Sequence, residues 1–147
     1  MILLKALRRT TRAGIPVVVE NPVGSTRSWK DSFTGTNGKT TFEHAYGYVP
    51  DTDGMDNEGL DVFLGPEQHP QEAYIVSQRR GPEFIEPDEH KVLLGWPDIH
   101  SAKRAYLKHY DDDRFLGTII AVPIREFRRK LDVMKQTGVR ADEVLGR

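Results

Sequence analysis

Short apolar runs rich in β-branched residues alternate with clusters of Gly, Pro, Asn and Asp along most of this chain. "IPVVVE" (15–20), bounded by Ala13-Gly14 and Asn21-Pro22, predicts a buried strand. "FEHAYGYV", "DVFLG", "EAYIVSQ", "HKVLLGW" and "GTIIAVPI" share that character and predict further strands. "SFTGTNGKTTFE" sets Asn37-Gly38 between Thr-rich flanks, the signal for a hairpin with a two-residue turn at Asn37-Gly38. "NPVGSTRS" reads as a loop, with Pro22 and Gly24 as its turn residues.

Helical spacing appears only late in the chain. Asp98 or Ser101 caps "SAKRAYLKHY", in which Ala102, Tyr106 and Tyr110 recur at helical intervals. "IREFRRKLDVMKQ" places Ile124, Phe127, Leu131 and Met134 on one stripe and stops at Gly138. Six or seven strands, a helix, a strand and a helix predict an α+β, mainly β chain, folded as a single β-barrel with two helices packed outside it. No repeat or low-complexity block divides it, so residues 1–147 are expected to form one domain, with 1–14 an N-terminal extension and 139–147 a tail.

Composition narrows the class. The chain has 147 residues, 37% hydrophobic and 29% charged, with a net charge of −1 and no cysteine. That is enough chain to bury a core without disulfides, and it excludes thiolate catalysis and cysteine-held zinc. The near-zero charge gives no overall positive field for nucleic acid, and no apolar run is long enough to span a bilayer. In "MILLKALRRTTRAG" the basic residues follow the apolar ones, the wrong order for a signal peptide. The expectation is therefore a cytoplasmic protein whose partners are neither nucleic acid nor membrane.

Three familiar motifs fail on inspection. "GTNGKT" resembles half of a phosphate-binding Walker loop, but the required first glycine falls on Phe33 and the flanks read as strand. Met55 occupies a position where an EF-hand loop needs Asp or Asn. The five histidines, at 44, 69, 90, 100 and 109, form no HExxH pair.

"DNEGLD" remains, with Asp56, Glu58 and Asp61 inside six residues. A cluster of this composition is also what an ordinary solvated turn looks like. Its hard oxygen donors select Mg²⁺, Mn²⁺ or Ca²⁺ over softer ions, and Gly59 frees the backbone to turn before Asp61 opens a strand. Glu20 ends another strand, and Asp88 and Glu89 precede "HKVLLGW". Arg27 and Lys30 lie in the loop after Glu20, and Lys91 follows Glu89 by two residues. Cations interleaved with such acids suit a phosphate-rich anion.

These segments resemble the soluble inorganic pyrophosphatases, which are built on an oligonucleotide-binding (OB) type barrel. "YGYVPDTDGMDNEGLDVFLGP" is similar to that family's Tyr-Gly-Phe/Tyr-Ile-Pro segment and the Asp-Gly-Asp-Pro-x-Asp signature after it. "VVVENP", "PDEHKVLLGWPD" and "KHYDD" resemble three further family segments, in the same order. "ENPVGSTRS" and "DEHKVLLGW" resemble most closely the short pyrophosphatase-like domain of phage and mobile-element proteins.

The resemblance implies Asp56, Asp61 and Glu89 as ligands of Mg²⁺, with Mn²⁺ as a substitute, and Glu20 close to the metals. Asp61 would bridge two ions, and Glu58 would position or deprotonate the attacking water. Tyr46, Lys91 and Tyr110 would contact phosphate, with Arg27 or Lys30 filling a loop lysine's role and Lys39 reaching in from the hairpin. It also implies oligomers and, for a phage-encoded chain, the host cytoplasm or the virion as its place.

Departures from the pattern accompany these matches. Phe42 stands where a second tyrosine is usual, Thr34 where an arginine is, and Asp111 where a lysine follows the late tyrosine. The expected activity is Mg²⁺-dependent hydrolysis of pyrophosphate. The alternatives are a nucleotide or other diphosphate as substrate, or a barrel of weak activity kept as a phage structural or interaction module.

Overall fold

The computed structural model describes residues 8–30, 35, 37–52 and 59–145. In chain order the described strands are β1 (Arg8–Arg12), β2 (Ile15–Asn21), β3 (Thr26–Lys30), β4 (Asn37–Thr41), β5 (Ala45–Val49), β6 (Leu60–Leu64), β7 (Glu72–Arg79) and β8 (Pro87–Leu94). Helix α1 (Ile99–Leu107), a 3₁₀ turn (Asp113–Phe115), strand β9 (Leu116–Pro123) and helices α2 (Ile124–Thr137) and α3 (Ala141–Leu145) complete the order.

One sheet takes seven of these strands in the order β1-β2-β5-β6-β8-β7-β9, while β3 and β4 form a separate hairpin. β6 and β8 run parallel; the other pairs are antiparallel. The chain is α+β and mainly β, as expected, with the barrel open between its edge strands β1 and β9.

Because side chains alternate along a strand, the sheet has two different faces. Val17, Val49, Val62, Ile75, Val92 and Leu94 pack on one of them, under Phe127, Leu131 and Met134 of α2 and Ala141 and Leu145 of α3. Tyr46, Phe63, Tyr74, Val76 and Leu93 face the other way, against Ala102, Ala105 and Tyr106 of α1. Each large apolar side chain buried this way contributes roughly 1.5–3 kcal/mol.

Local chemistry fixes the helix ends. The Asp98 carboxylate accepts the Ser101 backbone N–H at 2.7 Å, capping α1, so Asp98 and not Ser101 is the cap. Gly138 terminates α2 at φ 69°, a left-handed conformation that favours glycine.

Three sequence expectations change. Asn37 and Gly38 are not the hairpin turn: they pair with Lys30 and Trp29 inside β4, and the connection lies between Lys30 and Asn37. The indole of Trp29 lies over Gly38, where an added Cβ would come within 2.1 Å of the ring, so this glycine makes room for the indole and not for a turn. "NPVGSTRS" turns into β3 at Thr26. Finally, β1 lies within the expected extension and α3 within the expected tail: Arg8–Arg12 pairs with β2, and Ala141 and Leu145 are buried.

Candidate active site

The parallel pairing of β6 with β8 sets Asp61 directly opposite Lys91. Glu89, two residues before Lys91 on the same strand, shares its face. Antiparallel pairing of β5 with β6 brings Tyr46 alongside Phe63 on that face. The four side chains converge. The Lys91 ammonium donates to Asp61 Oδ2 at 2.9 Å and to the Tyr46 hydroxyl at 2.5 Å, and it lies 2.6 Å from Glu89 Oε1.

Lys91 is only 6% exposed. Burial pulls its pKa down, but Tyr46, Tyr110, Glu89 and Asp61 around it more than offset this and hold it well above the usual lysine value. It is an ammonium at neutral pH. Burial raises the hydroxyls of Tyr46 and Tyr110, so both stay protonated and serve as neutral hydrogen-bonding groups. Burial also raises Glu89, against the opposing pull of Lys91.

Lys91 and Tyr46 of this cluster line a cleft of about 290 Å³, together with Arg27, Thr40, Phe42 and Tyr110. Beyond Trp29 the cleft widens into a space of about 910 Å³ bordered by Lys30, Lys39, Arg80, Asp111 and Phe115. Arg27, rather than Lys30, therefore shares the inner cleft with Lys91, while Lys30 and Lys39 stand on the outer rim. Glu20 is exposed at the bulge between Val19 and Asn21, on the strand beside Tyr46. Asp56, Glu58 and Thr34 lie outside the described residues.

Several participants carry no sequence signal of their own. The Tyr106 hydroxyl donates to Gln78 Oε1 at 2.8 Å, and the Gln78 amide donates to Asp88 Oδ2 at 3.3 Å, while Asp88 Oδ1 lies 3.5 Å from Arg80. The helical stripe marked Tyr106 as core, but its partner on β7 is set only by packing. His109 closes the roof, its ring 4.7 Å from that of Phe63. Its Nδ1 donates to Ala105 O at 2.8 Å and its Nε2 accepts the Glu43 N–H at 3.2 Å, which fixes the neutral tautomer. Burial lowers its pKa accordingly.

Asp61 and Glu89 fit a hard divalent cation in donor chemistry, and their carboxylates come from two strands to the same side of the sheet, where each lies within 3 Å of the Lys91 ammonium. Mg²⁺ is commonly held by one or two carboxylates plus water and substrate phosphate, so two fixed acids suffice as a start. Among the described residues no group of three or more acidic or histidine side chains is placed to hold a metal.

The site is thus a cluster of acids, a buried ammonium and tyrosine hydroxyls on one face of a mainly β sheet. The family model for inorganic pyrophosphatase matches residues 5–132, and the chain belongs to that family. No curated protein matches the chain in sequence. Among solved structures, it is similar to an inorganic pyrophosphatase from Neisseria gonorrhoeae, at 19% identity over 82% of this chain and 88% of that one, with a TM-score of 0.46. It is also similar to an inorganic pyrophosphatase from Coxiella burnetii, at 15% identity over 82% and 92%, with a TM-score of 0.46.

Proposed function

We propose that the chain hydrolyses inorganic pyrophosphate to phosphate with the help of Mg²⁺. The observation that carries this reading is the convergence of Asp61, Glu89 and Tyr46 on the Lys91 ammonium at the base of a cleft, in a chain of this family.

Asp61 and Glu89 would hold the metal, joined by Asp56 from outside the described residues. A hard divalent ion supplies Lewis acidity there, polarising phosphate oxygens and making water a better nucleophile. Arg27 binds phosphate oxygens and Lys91 lends its positive charge beside them, both stabilising the charge that grows as the anhydride bond breaks. Lys91 stays protonated throughout, so it serves as a fixed positive charge and not as a proton donor. Tyr46 and Tyr110, also protonated, offer neutral O–H donors to the same anion. Glu58, which the resemblance places beside the attacking water, is the candidate acceptor of its proton. Phe42, Phe63 and His109 line the Lys91 side of the cleft as a largely apolar wall, which strengthens each of these charge contacts.

Among the described residues no helix is long and apolar enough to cross a membrane. The cytoplasm, where polymerising enzymes release pyrophosphate, is the compartment that suits this reading.

The test is phosphate release from pyrophosphate with Mg²⁺, with and without chelator, for wild type and Asp61→Asn. Chelator-sensitive release that Asp61→Asn abolishes is the expected result. Wild type as inert as the variant in both Mg²⁺ and Mn²⁺ would remove pyrophosphate hydrolysis as the function.

A further inference from the structure

The cleft extends well past the groups that pyrophosphate can use. Its inner part, of about 290 Å³, ends at Lys91, and its outer part, of about 910 Å³, shares Trp29, Thr40, His109 and Tyr110 with it. Trp29 stands at this junction. Its ring lies over the bare backbone of Gly38, yet the residue is 41% exposed, unusual for an indole. Across the outer space stand Tyr110 and Phe115, with ring centroids 5.4 Å apart, and Phe115 abuts Phe84 at 4.9 Å.

Charge varies along the same cleft. Lys91 and Arg27 mark the inner part, while the wall of the outer part adds the Asp88 and Asp111 carboxylates to Lys30, Lys39 and Arg80. A phosphate tail at Lys91 and Arg27 and a flat aromatic on Trp29, where the two parts meet, match this order of chemistry.

We propose that the site takes nucleoside diphosphates and triphosphates as well as pyrophosphate, with Trp29 as the platform on which the base stacks. The inference rests on the phosphoanhydride hydrolysis set out above. With the base at Trp29, the terminal phosphate is the one that reaches Lys91. Water adds its oxygen to the terminal phosphorus, and the anhydride P–O bond to the next phosphate breaks. Phosphate and the nucleotide shortened by one phosphate leave, and one proton passes to solvent. Trp29 touches only the base, so it sets specificity.

The test compares kcat/KM for ATP and for pyrophosphate in wild type, Trp29→Ala and Trp29→Phe, together with calorimetric binding of ADP and of pyrophosphate. Loss of one base-stacking contact should lower the ATP-to-pyrophosphate ratio about tenfold in Trp29→Ala, with most of it restored in Trp29→Phe. ADP binding should weaken by a similar factor while pyrophosphate binding holds. Wild type that hydrolyses pyrophosphate but neither hydrolyses ATP nor binds ADP overturns this inference and leaves the function above intact. An equal loss for both substrates in Trp29→Ala overturns it too, because Trp29 would then only brace the hairpin. If wild type hydrolyses neither compound, the function above fails by itself. ADP binding that depends on Trp29 would still uphold the platform, and its absence would overturn it.

Discussion

The two faces of the seven-stranded sheet are built from the same strands to different ends. Under α2 and α3 the contacts are mostly aliphatic, with Phe127 as the one aromatic of that cluster among the described residues, and with Asp142 of α3 and His90, which alternates with Lys91 along β8, as buried polar exceptions. Under α1 they are largely aromatic, and polar groups interrupt them: Lys91 among its acids, Tyr106 on Gln78, and His109 between Ala105 and Glu43. A dry layer gains stability from area alone. A layer that holds charge must spend part of that gain on desolvation, and buried ion clusters are weak evidence for stability. One side is therefore mainly packing, and the other collects the charged cluster on which the proposed chemistry rests.

The sharpest way to break this division is Phe127→Ala. It removes a fully buried ring from the dry layer and is expected to destabilise the chain by about 3–5 kcal/mol, read by urea or thermal unfolding. Pyrophosphate hydrolysis per folded molecule should survive at low temperature. A loss of turnover in step with a small loss of stability would show that the two faces are not separable.

Lys91→Met should invert that pattern. Removing a preorganised positive group from an anionic transition state lowers turnover by about 10²–10³-fold, measured as phosphate release. Turnover close to wild type would relocate the catalytic charge to Arg27 and end the assignment of Lys91.

His109 sharpens the comparison through pH. Its pKa is lowered on folding, so the unfolded chain takes up a proton first as pH falls below about 6.5, and stability declines through that window. The groups facing it are His44, Glu43, Lys108, Phe42 and Phe63. The unfolding midpoint should fall between pH 7 and pH 5 in wild type and slope less in His109→Leu. Equal slopes would move the titration elsewhere, His44 being the next candidate.

The smallest effect is expected at Asp98, outside both layers. Its carboxyl is held below its ordinary 3.8 by the backbone and hydroxyl of Ser101. The cap contribution is thus full above pH 3.8 and lost as pH falls through the lowered folded value. Asp98→Ala should lower the melting temperature slightly at pH 7, with a difference that closes in strong acid.

Much of this arrangement was legible where local chemistry acts alone. The β-branched runs of β2, β7 and β8, the Asp98 cap and the Gly138 stop each state their structure within a few residues. β1 was not legible: "RRTTR" has no apolar alternation and is held as strand by its pairing with β2. Asn37-Gly38 misled because glycine serves turns and crowded rings equally well, and only the neighbour, Trp29, tells which. In the site, Asp61, Glu89 and Lys91 were found through family resemblance, and their meeting follows from strand register. The assignments of Lys30 and Lys39, and the roles of Tyr106, Gln78, His109 and Trp29, depend on which elements face each other. That information is spread over the whole chain.

The parallel pair β6–β8 also bears on synthesis. Two neighbouring parallel strands cannot be joined by a tight turn, and here β7 is threaded between them in sequence while it lies on the far side of β8 in space. Asp61 meets Lys91 across 30 residues and Tyr46 meets it across 45. A nascent chain therefore lacks the Lys91 cluster until β8 has left the ribosome and docked, well after the strand bearing Tyr46 has emerged. Until that moment Asp61 is an acid on an unpaired edge, and the last strand to arrive on that side brings Glu89 and the lysine together. The cluster around Lys91 therefore assembles late, through contacts of high sequence separation.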